Sequence, residues 1–214
     1  MVLTASILSR RNTMTKQHIM TFVATLFVTF LVVVSATAER TTYVVTEGKP
    51  NKVEFISKAP LETIEGVTNK ISGEVTIDPL NINDNPSANF EVQMADLDTG
   101  NSIRDGDMHE DHLHTDKHPT SSFKLKEIKG LSNGQLPDGQ EVSFTAVGDF
   151  TLHGVTRTIE PQITTKWDSA NNSIDVTAKF TVLLKDYDIP RPKFLFMKLS
   201  KEQKVRIDFT AMAK

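Results

Sequence analysis

The densest group of side chains that could do chemistry lies near the middle of the chain. Ten consecutive residues contain four histidines, His109, His112, His114 and His118, together with several carboxylates. On a helix, His109 and His112 would lie one turn apart, and this spacing can bring two imidazoles to one zinc, nickel or copper(II) ion. The alternative is a solvated acidic helix and loop, because nothing in the sequence identifies a further ligand or the groups that would orient it.

Motifs of the common enzyme classes are missing from the sequence. It contains no Gly-x-Ser-x-Gly, no His-Glu-x-x-His, no phosphate-binding loop and no Gly-x-Gly-x-x-Gly. The absence of cysteine excludes thiol catalysis, disulfide bonds and cysteine-based zinc sites. Asp96 and Asp98 form a carboxylate pair, but Thr99 and Gly100 follow them directly, so we interpret them as turn-capping residues. We therefore expect a protein that is not an enzyme.

A large apolar face is the main alternative candidate for a functional site. Apolar and polar side chains alternate along several segments, so the apolar ones point to one side of their strands. An interior of this kind is either packed solid or wide enough for one slim apolar ligand, and small inward residues such as Gly73 and Ala146 favour the second. Ten larger residues are expected to line it: Phe55, Phe90, Val92, Met94, Phe144, Phe150, Phe180, Val182, Ile207 and Phe209.

The elements that position this face are predicted to be about eight antiparallel strands. Turn residues such as those at 137–139 separate the alternating segments. Strands of roughly ten to thirteen residues favour a closed up-and-down barrel, because closure removes long exposed edges. The alternation breaks between residues 102 and 113, where we predict one short helix weakened by Gly106. The predicted fold is therefore all-β, an eight-stranded antiparallel barrel with one short helix.

The composition indicates the class of protein, and the first 38 residues indicate its expected location. The chain of 214 residues has a net charge of −3 and is 38% hydrophobic, which is typical of one globular domain and not of a nucleic-acid-binding protein. Residues 1–21 carry three basic side chains and no acidic one, residues 22–34 are apolar apart from two threonines, and residues 36–38 read Ala-Thr-Ala. These parts predict a signal peptide over residues 1–38 and a mature domain over residues 39–214.

Cleavage after Ala38 would leave 21 basic side chains against 27 acidic ones, a net charge of −6. We expect a periplasmic or secreted protein with no stable membrane span after cleavage. An uncleaved membrane anchor is the alternative, since residues 21–38 are about the minimum length that crosses a bilayer.

Three segments, in this order, resemble the YceI family: DLDTGNSIRD at 96–105, KHPTSSF at 117–123 and GDFTLHGVTR at 148–157. The third is the most specific, because it is similar to that family's Gly-x-Leu-Thr-x-His-Gly-Val-Thr strand and turn. The resemblance covers about residues 41–212 and implies a lipocalin-like barrel, exported to the bacterial periplasm, whose apolar tunnel holds a polyprenyl chain or a quinone tail. The sequence departs from the family pattern at His112 and His118, which are usually aromatic, and at Asp188, where many members have glycine.

The predicted function is non-enzymatic binding, transport or sequestration of an amphiphilic isoprenoid lipid, with no further cofactor. Each buried methylene contributes about 0.8 kcal/mol, so affinity would come from the tail, and a few polar groups at the rim would discriminate between ligands. The candidate rim residues are Arg104, His112, His118 and Arg157. A homodimer is left open. The alternative function is an exported metal-binding module that uses the four histidines.

Overall fold

The computed structural model describes residues 40–48, 50–59, 62–194 and 197–214. The predicted signal peptide, residues 1–38, lies outside the described residues and stays a prediction. Within the described residues, the strands are β1 (Thr41–Val45), β2 (Lys52–Lys58), β3 (Thr63–Thr68), β4 (Ile71–Ile77), β5 (Ser87–Gln93), β6 (Thr120–Lys129), β7 (Glu141–Leu152), β8 (Val155–Ile159), β9 (Gln162–Asp168), β10 (Ser173–Leu183), β11 (Lys193–Phe194), β12 (Met197–Lys198) and β13 (Glu202–Ala213).

Eight of these strands close into an antiparallel barrel. Neighbouring strands pair in the order β1, β4, β5, β6, β7, β9, β10 and β13, and β13 pairs back with β1. At this closure Tyr43 lies opposite Ala213 and Val44 lies opposite Met212. Strand alternation then places one face of every strand inside the ring. The predicted eight-stranded antiparallel barrel is confirmed.

At two places in the barrel wall, one long strand pairs along the same edge with two shorter strands in succession. β13 pairs with β2 from Gln203 to Asp208 and with β1 only at its end. β7 likewise pairs with β9 along its first half and with β8 along its second half. Pro161 lies between β8 and β9 and lacks the N–H that a strand ladder needs. β8 ends at Ile159 and β9 begins at Gln162, so the proline separates the two strands.

One short helix lies between β5 and β6, as predicted. Helix α1 spans Ser102–Asp107 and continues into a single π-helical turn over Met108–His112. The side chain of Asn101 accepts hydrogen bonds from the backbone N–H groups of Ile103 and Arg104, so it caps the exposed donors of the first turn. The cap gives a segment of only six α-helical residues a defined start despite the unfavourable Gly106.

Glycines let two large aromatic rings lie flat inside the wall. Gly66 on β3 pairs with Phe55 on β2, and a Cβ atom at Gly66 would overlap the Phe55 ring. A Cβ atom at Gly148 on β7 would overlap the ring of Phe123 on β6 in the same way. Each ring therefore occupies the space that a neighbouring side chain would take, which leaves room nearer the barrel axis.

Two loops plug the end of the barrel opposite to α1. The loop at residues 78–86 and the loop at residues 130–140 are joined by hydrogen bonds from the Ile82 N–H to the Gly134 carbonyl (2.7 Å) and from the Leu136 N–H to the Pro79 carbonyl (2.8 Å). Ile82 and Leu136 are 1% and 2% exposed, so their side chains fill this end. The core thus continues into the loops and closes the barrel floor.

We expect the plug to contribute strongly to stability. Leu136→Ala should lower the free energy of unfolding by about 2–5 kcal/mol, because it removes buried methyl groups and leaves a cavity. Leu80→Ala in the facing loop is the matched control and should cost less than about 0.5 kcal/mol, because Leu80 is 62% exposed. Urea unfolding of both variants checks this, and equal losses would contradict the plug.

Candidate functional site

Two adjoining apolar cavities occupy the barrel interior. The larger measures about 470 Å³ and lies toward α1, where Met108 and Leu113 line it. The smaller measures about 130 Å³ and lies toward the plug, where Ile82 and Leu136 line it. Five residues line both cavities and form what we call the constriction: Val92, Ser121, Phe150, Phe180 and Ile207. The interior therefore holds a wider apolar space toward α1 and a narrower one toward the floor, which meet at these five side chains.

All ten residues predicted to face inward line these cavities. Phe55, Met94 and Val182 line the larger cavity, and Phe90, Phe144 and Phe209 line the smaller one. The remaining four belong to the constriction: Val92, Phe150, Phe180 and Ile207. Their contact with a ligand stays a prediction.

Aromatic packing holds the constriction in shape. The Phe150 and Phe180 rings meet edge to face with centroids 5.3 Å apart, and the Tyr187 ring contacts Phe150 edge-on at 5.6 Å. This arrangement is favourable for aromatic pairs, since the edge of one ring faces the π cloud of the other. Burial raises the pKa of the Tyr187 hydroxyl. The one polar member of the constriction, Ser121, donates its hydroxyl hydrogen to the Thr151 carbonyl (2.9 Å).

The larger cavity reaches the surface beside α1, at an opening we call the mouth and define by Glu62, Ile103, Arg104, Asp107 and His112. Ile103 is 79% exposed although it lines the cavity, so the apolar lining continues out to solvent at this point. At the mouth, charged side chains from α1 and the β2–β3 loop face each other, as Arg104 and Glu62 do. A ligand head in the larger cavity would lie among these groups.

Polar contacts fix the mouth side of α1. Arg104 donates from Nε to the Thr99 hydroxyl oxygen (2.8 Å) and from Nη2 to the Thr99 carbonyl (2.9 Å), and its Nη1 lies 3.6 Å from a Glu62 carboxylate oxygen. Asp105 accepts hydrogen bonds from the Thr99 N–H and hydroxyl. Burial acts to raise the pKa of Asp105, but these hydrogen bonds, with His109 and Arg104 nearby, hold the pKa below its ordinary value.

The structure divides the four predicted rim residues into two pairs. Arg104 and His112 line the larger cavity. His118 and Arg157 do not line either cavity in the described part of the chain. His118 packs edge-on against His153, with ring centroids 4.7 Å apart, and Arg157 donates from Nε to the Asp186 carbonyl (3.0 Å). These two side chains contact other parts of the fold, and their role at the rim stays a prediction.

Two of the four clustered histidines belong to the helical segment and face different surroundings. Nε2 of His109 hydrogen-bonds the Leu97 carbonyl (3.0 Å), whereas His112 lines the larger cavity. In both residues Nδ1 is buried and has no hydrogen-bond partner among the described residues.

The other two clustered histidines meet His153, in the turn between β7 and β8. Nδ1 of His153 donates to the Tyr187 carbonyl (2.9 Å), and its Nε2 pairs with Nδ1 of His114 (2.8 Å). No group of three or more histidine and carboxylate side chains in the described ranges is placed to hold a metal ion. His114 and His118 thus share His153 as a neighbour, whereas His109 and His112 lie elsewhere, and a metal site built from His109, His112, His114 and His118 stays a prediction.

Several cavity residues come from irregular segments and were missed by the sequence analysis. They share a position outside the strands, where no alternation marks an inward direction: Glu62, Leu97, Leu184, Ile189, Pro192 and Leu199. An apolar residue within a polar loop is the signal that could have identified some of them, as at Ile189 beside Asp188.

In the ranges that the structure describes, no helix has the length and apolar character needed to cross a membrane.

Known proteins resemble this chain in both sequence and fold. A UPF0312 protein of Vibrio cholerae is 34% identical over 116 residues, which are 53% of this chain and 57% of the relative, so the match spans little more than half of that protein's length. A UPF0312 protein of Vibrio parahaemolyticus is 29% identical over 162 residues, covering 72% of this chain and 80% of the relative.

Solved structures share the fold at 16% sequence identity. BcnA of Burkholderia cenocepacia matches with a TM-score of 0.65 over 76% of this chain and 96% of that one. A domain from Saccharophagus degradans, described as polyisoprenoid binding and implicated in plant cell wall breakdown, matches with a TM-score of 0.61 over 82% of this chain and 100% of that one. The family model of the YceI-like domain matches residues 43–211. The match to the family model and the match to the solved barrels both cover most of the described chain. The protein belongs to the YceI-like domain family.

Proposed function

We propose that the protein binds an amphiphilic isoprenoid lipid, a polyprenyl chain or a quinone tail, and carries or sequesters it without transforming it. The observation that carries this proposal is the stepped apolar interior of about 470 Å³ and 130 Å³. Pockets of a few hundred Å³ are of the size that holds a small amphiphile. The interior opens at the mouth and ends at the plug, so a ligand would enter tail first.

The shape of the interior supports a slim chain more than a compact ligand. The constriction separates a wider space from a narrower one, and aromatic rings line both. A flexible chain can follow such a path and bury its methylene groups at about 0.8 kcal/mol each, minus the cost of ordering the chain. The S. degradans domain named above, described as polyisoprenoid binding, shares this fold, which supports the same ligand class here.

Polar groups near the cavities support binding without catalysis. Ser121 is hydrogen-bonded to the Thr151 carbonyl and is not paired with a base, and Arg104 is held by Thr99 and Glu62. A catalytic site needs a nucleophile or acid within reach of a partner that activates it. Ser121, the hydroxyl at the constriction, has no such partner among its hydrogen bonds in the described residues. We further propose that the predicted signal peptide exports the protein to the periplasm or the medium.

Purified protein should contain lipid, and filling the larger cavity should remove it. Val205 lines that cavity, so Val205→Trp should reduce the lipid in an organic extract at least several-fold by occupying the space of the tail. Lys204→Trp is the matched control, because the neighbouring position is exposed and should leave the extract unchanged. Mass spectrometry measures the lipid, and circular dichroism checks that both variants keep their strands. An empty extract from the wild type, with no uptake of any prenyl lipid added later, would contradict the proposal.

Widening the constriction should favour longer tails. Phe180 is half-buried and lines both cavities, so Phe180→Ala would widen the space between them. The preference for geranylgeraniol over farnesol should then rise by about tenfold, since part of one further isoprene unit becomes buried at about 0.8 kcal/mol per methylene. Displacement of a fluorescent lipid measures both affinities. An unchanged ratio would mean that the tail does not pass Phe180.

A further inference from the structure

One segment covers the larger cavity and has little buried surface of its own. This lid segment, residues 101–118, contains α1, the π-helical turn and the loop that leads to β6. Met108 and Leu113 are half-buried and line the cavity from this segment, and no residue from 102 to 112 is buried. Elements with few buried apolar contacts open locally more easily than well-packed strands do. The lid segment is thus a part of the cavity wall that can move while the barrel stays closed.

A hydrogen bond between two histidine rings fastens the end of the lid segment to the barrel wall. Nδ1 of His114 lies 2.8 Å from Nε2 of His153, in the turn between β7 and β8. Nδ1 of His153 donates to the Tyr187 carbonyl, so in the neutral ring Nε2 accepts and Nδ1 of His114 donates. The Tyr187 ring packs in turn against Phe150 of the constriction. His153 is therefore a fixed anchor, and His114 is the side chain that reaches it from the lid segment.

The backbone of both histidines adopts a conformation that most side chains avoid. φ is +45° at His114 and +52° at His153, in the left-handed region. His153 and Gly154 form the two-residue turn between β7 and β8, and a turn with positive φ at both residues favours Asn-Gly. Unusual backbone conformations at non-glycine residues often mark side chains with a specific role. Here the two unusual positions lie in separate segments and are joined by one hydrogen bond.

We propose that the lid segment opens over the larger cavity by moving about Gly100, and that the hydrogen bond between His114 and His153 is the latch that keeps it closed. Gly100 has a φ of +76°, and a Cβ atom there would meet no other group within 4 Å, so this position has room to turn. At the other end, breaking one side-chain hydrogen bond frees the segment while β7 and β8 stay paired. The latch goes beyond the proposed function, because it does not depend on which molecule enters.

The same substitution at the two histidines separates the latch from the turns. His153→Asn suits its turn and keeps a donor for the Tyr187 carbonyl, but it removes the Nε2 acceptor that His114 uses. His114→Asn preserves the latch, because Nδ2 of asparagine lies as many bonds from the backbone as Nδ1 of histidine. Hydrogen–deuterium exchange of the purified protein is measured at about pH 8, where histidine side chains are ordinarily neutral. Peptides from the lid segment should exchange about 2- to 10-fold faster in His153→Asn and at the wild-type rate in His114→Asn.

His118→Ala is the control for packing, because it removes the ring that lies edge-on against His153 and leaves the latch in place. Its lid segment should exchange at close to the wild-type rate, and peptides from β6 and β7 should exchange at the wild-type rate in all three variants. An unchanged lid segment in His153→Asn would overturn the latch. An increase as large in His114→Asn or His118→Ala would overturn the role of this hydrogen bond.

Faster exchange throughout the barrel of His153→Asn would mean that His153 supports the whole fold, and it would overturn the lid. Stopped-flow uptake of a fluorescent lipid gives a second measurement, and uptake by His153→Asn should be faster by a similar factor. If the wild type takes up no lipid, the proposed function fails, whereas the exchange measurement still tests the lid on its own.

Discussion

Hydrogen bonding between β1 and β13 is the constraint on which the rest of the structure depends. It turns an open sheet with two unpaired edges into a ring, and it involves only a short register that includes Tyr43 opposite Ala213. Once the ring is closed, each strand must point alternate side chains inward, and the size of the ring sets how much space they enclose. Ala211 and Phe209 on β13 are buried for this reason. The interior is thus a product of closure rather than of any single residue.

Stability and ligand binding use the same side chains. Inward residues pack against one another across the constriction, as Phe150 does with Phe180, but the two cavities leave part of the lining without neighbours. Atoms that line a void lose van der Waals contacts that a packed core would provide. A ligand that binds only the folded barrel restores such contacts and stabilises the fold by mass action. The glycines at positions 66 and 148 serve this arrangement, because they let large rings lie along the wall.

Short-range alternation explains why the barrel and its inward face were predictable from the sequence. All ten residues predicted to face inward line a cavity. Alternation predicts such positions because side chains on a regular strand point in turn to its two faces. Positions at the barrel ends were not predictable in the same way. His118 and Arg157 lie beside turns whose direction depends on long-range pairing, and β7 pairs with both β8 and β9, which Pro161 separates. The spacing of the four histidines along the sequence does not reveal their partners in the fold. His109 contacts the Leu97 carbonyl, and His114 and His118 contact His153.

The two ends of the barrel differ in the kind of contact that closes them, and this difference assigns them different roles. At the floor, Ile82 and Leu136 are almost completely buried, so displacing them would expose apolar surface and open a cavity in the core. At the mouth, α1 is held by polar contacts such as the pair of Arg104 and Glu62, whose side chains are 32% and 59% exposed. Exposed ion pairs of this kind contribute about 0–1 kcal/mol, because water competes for both partners. Widening the mouth at this ion pair therefore costs far less than opening the floor, and a molecule can reach the interior while the closed ring of strands stays intact.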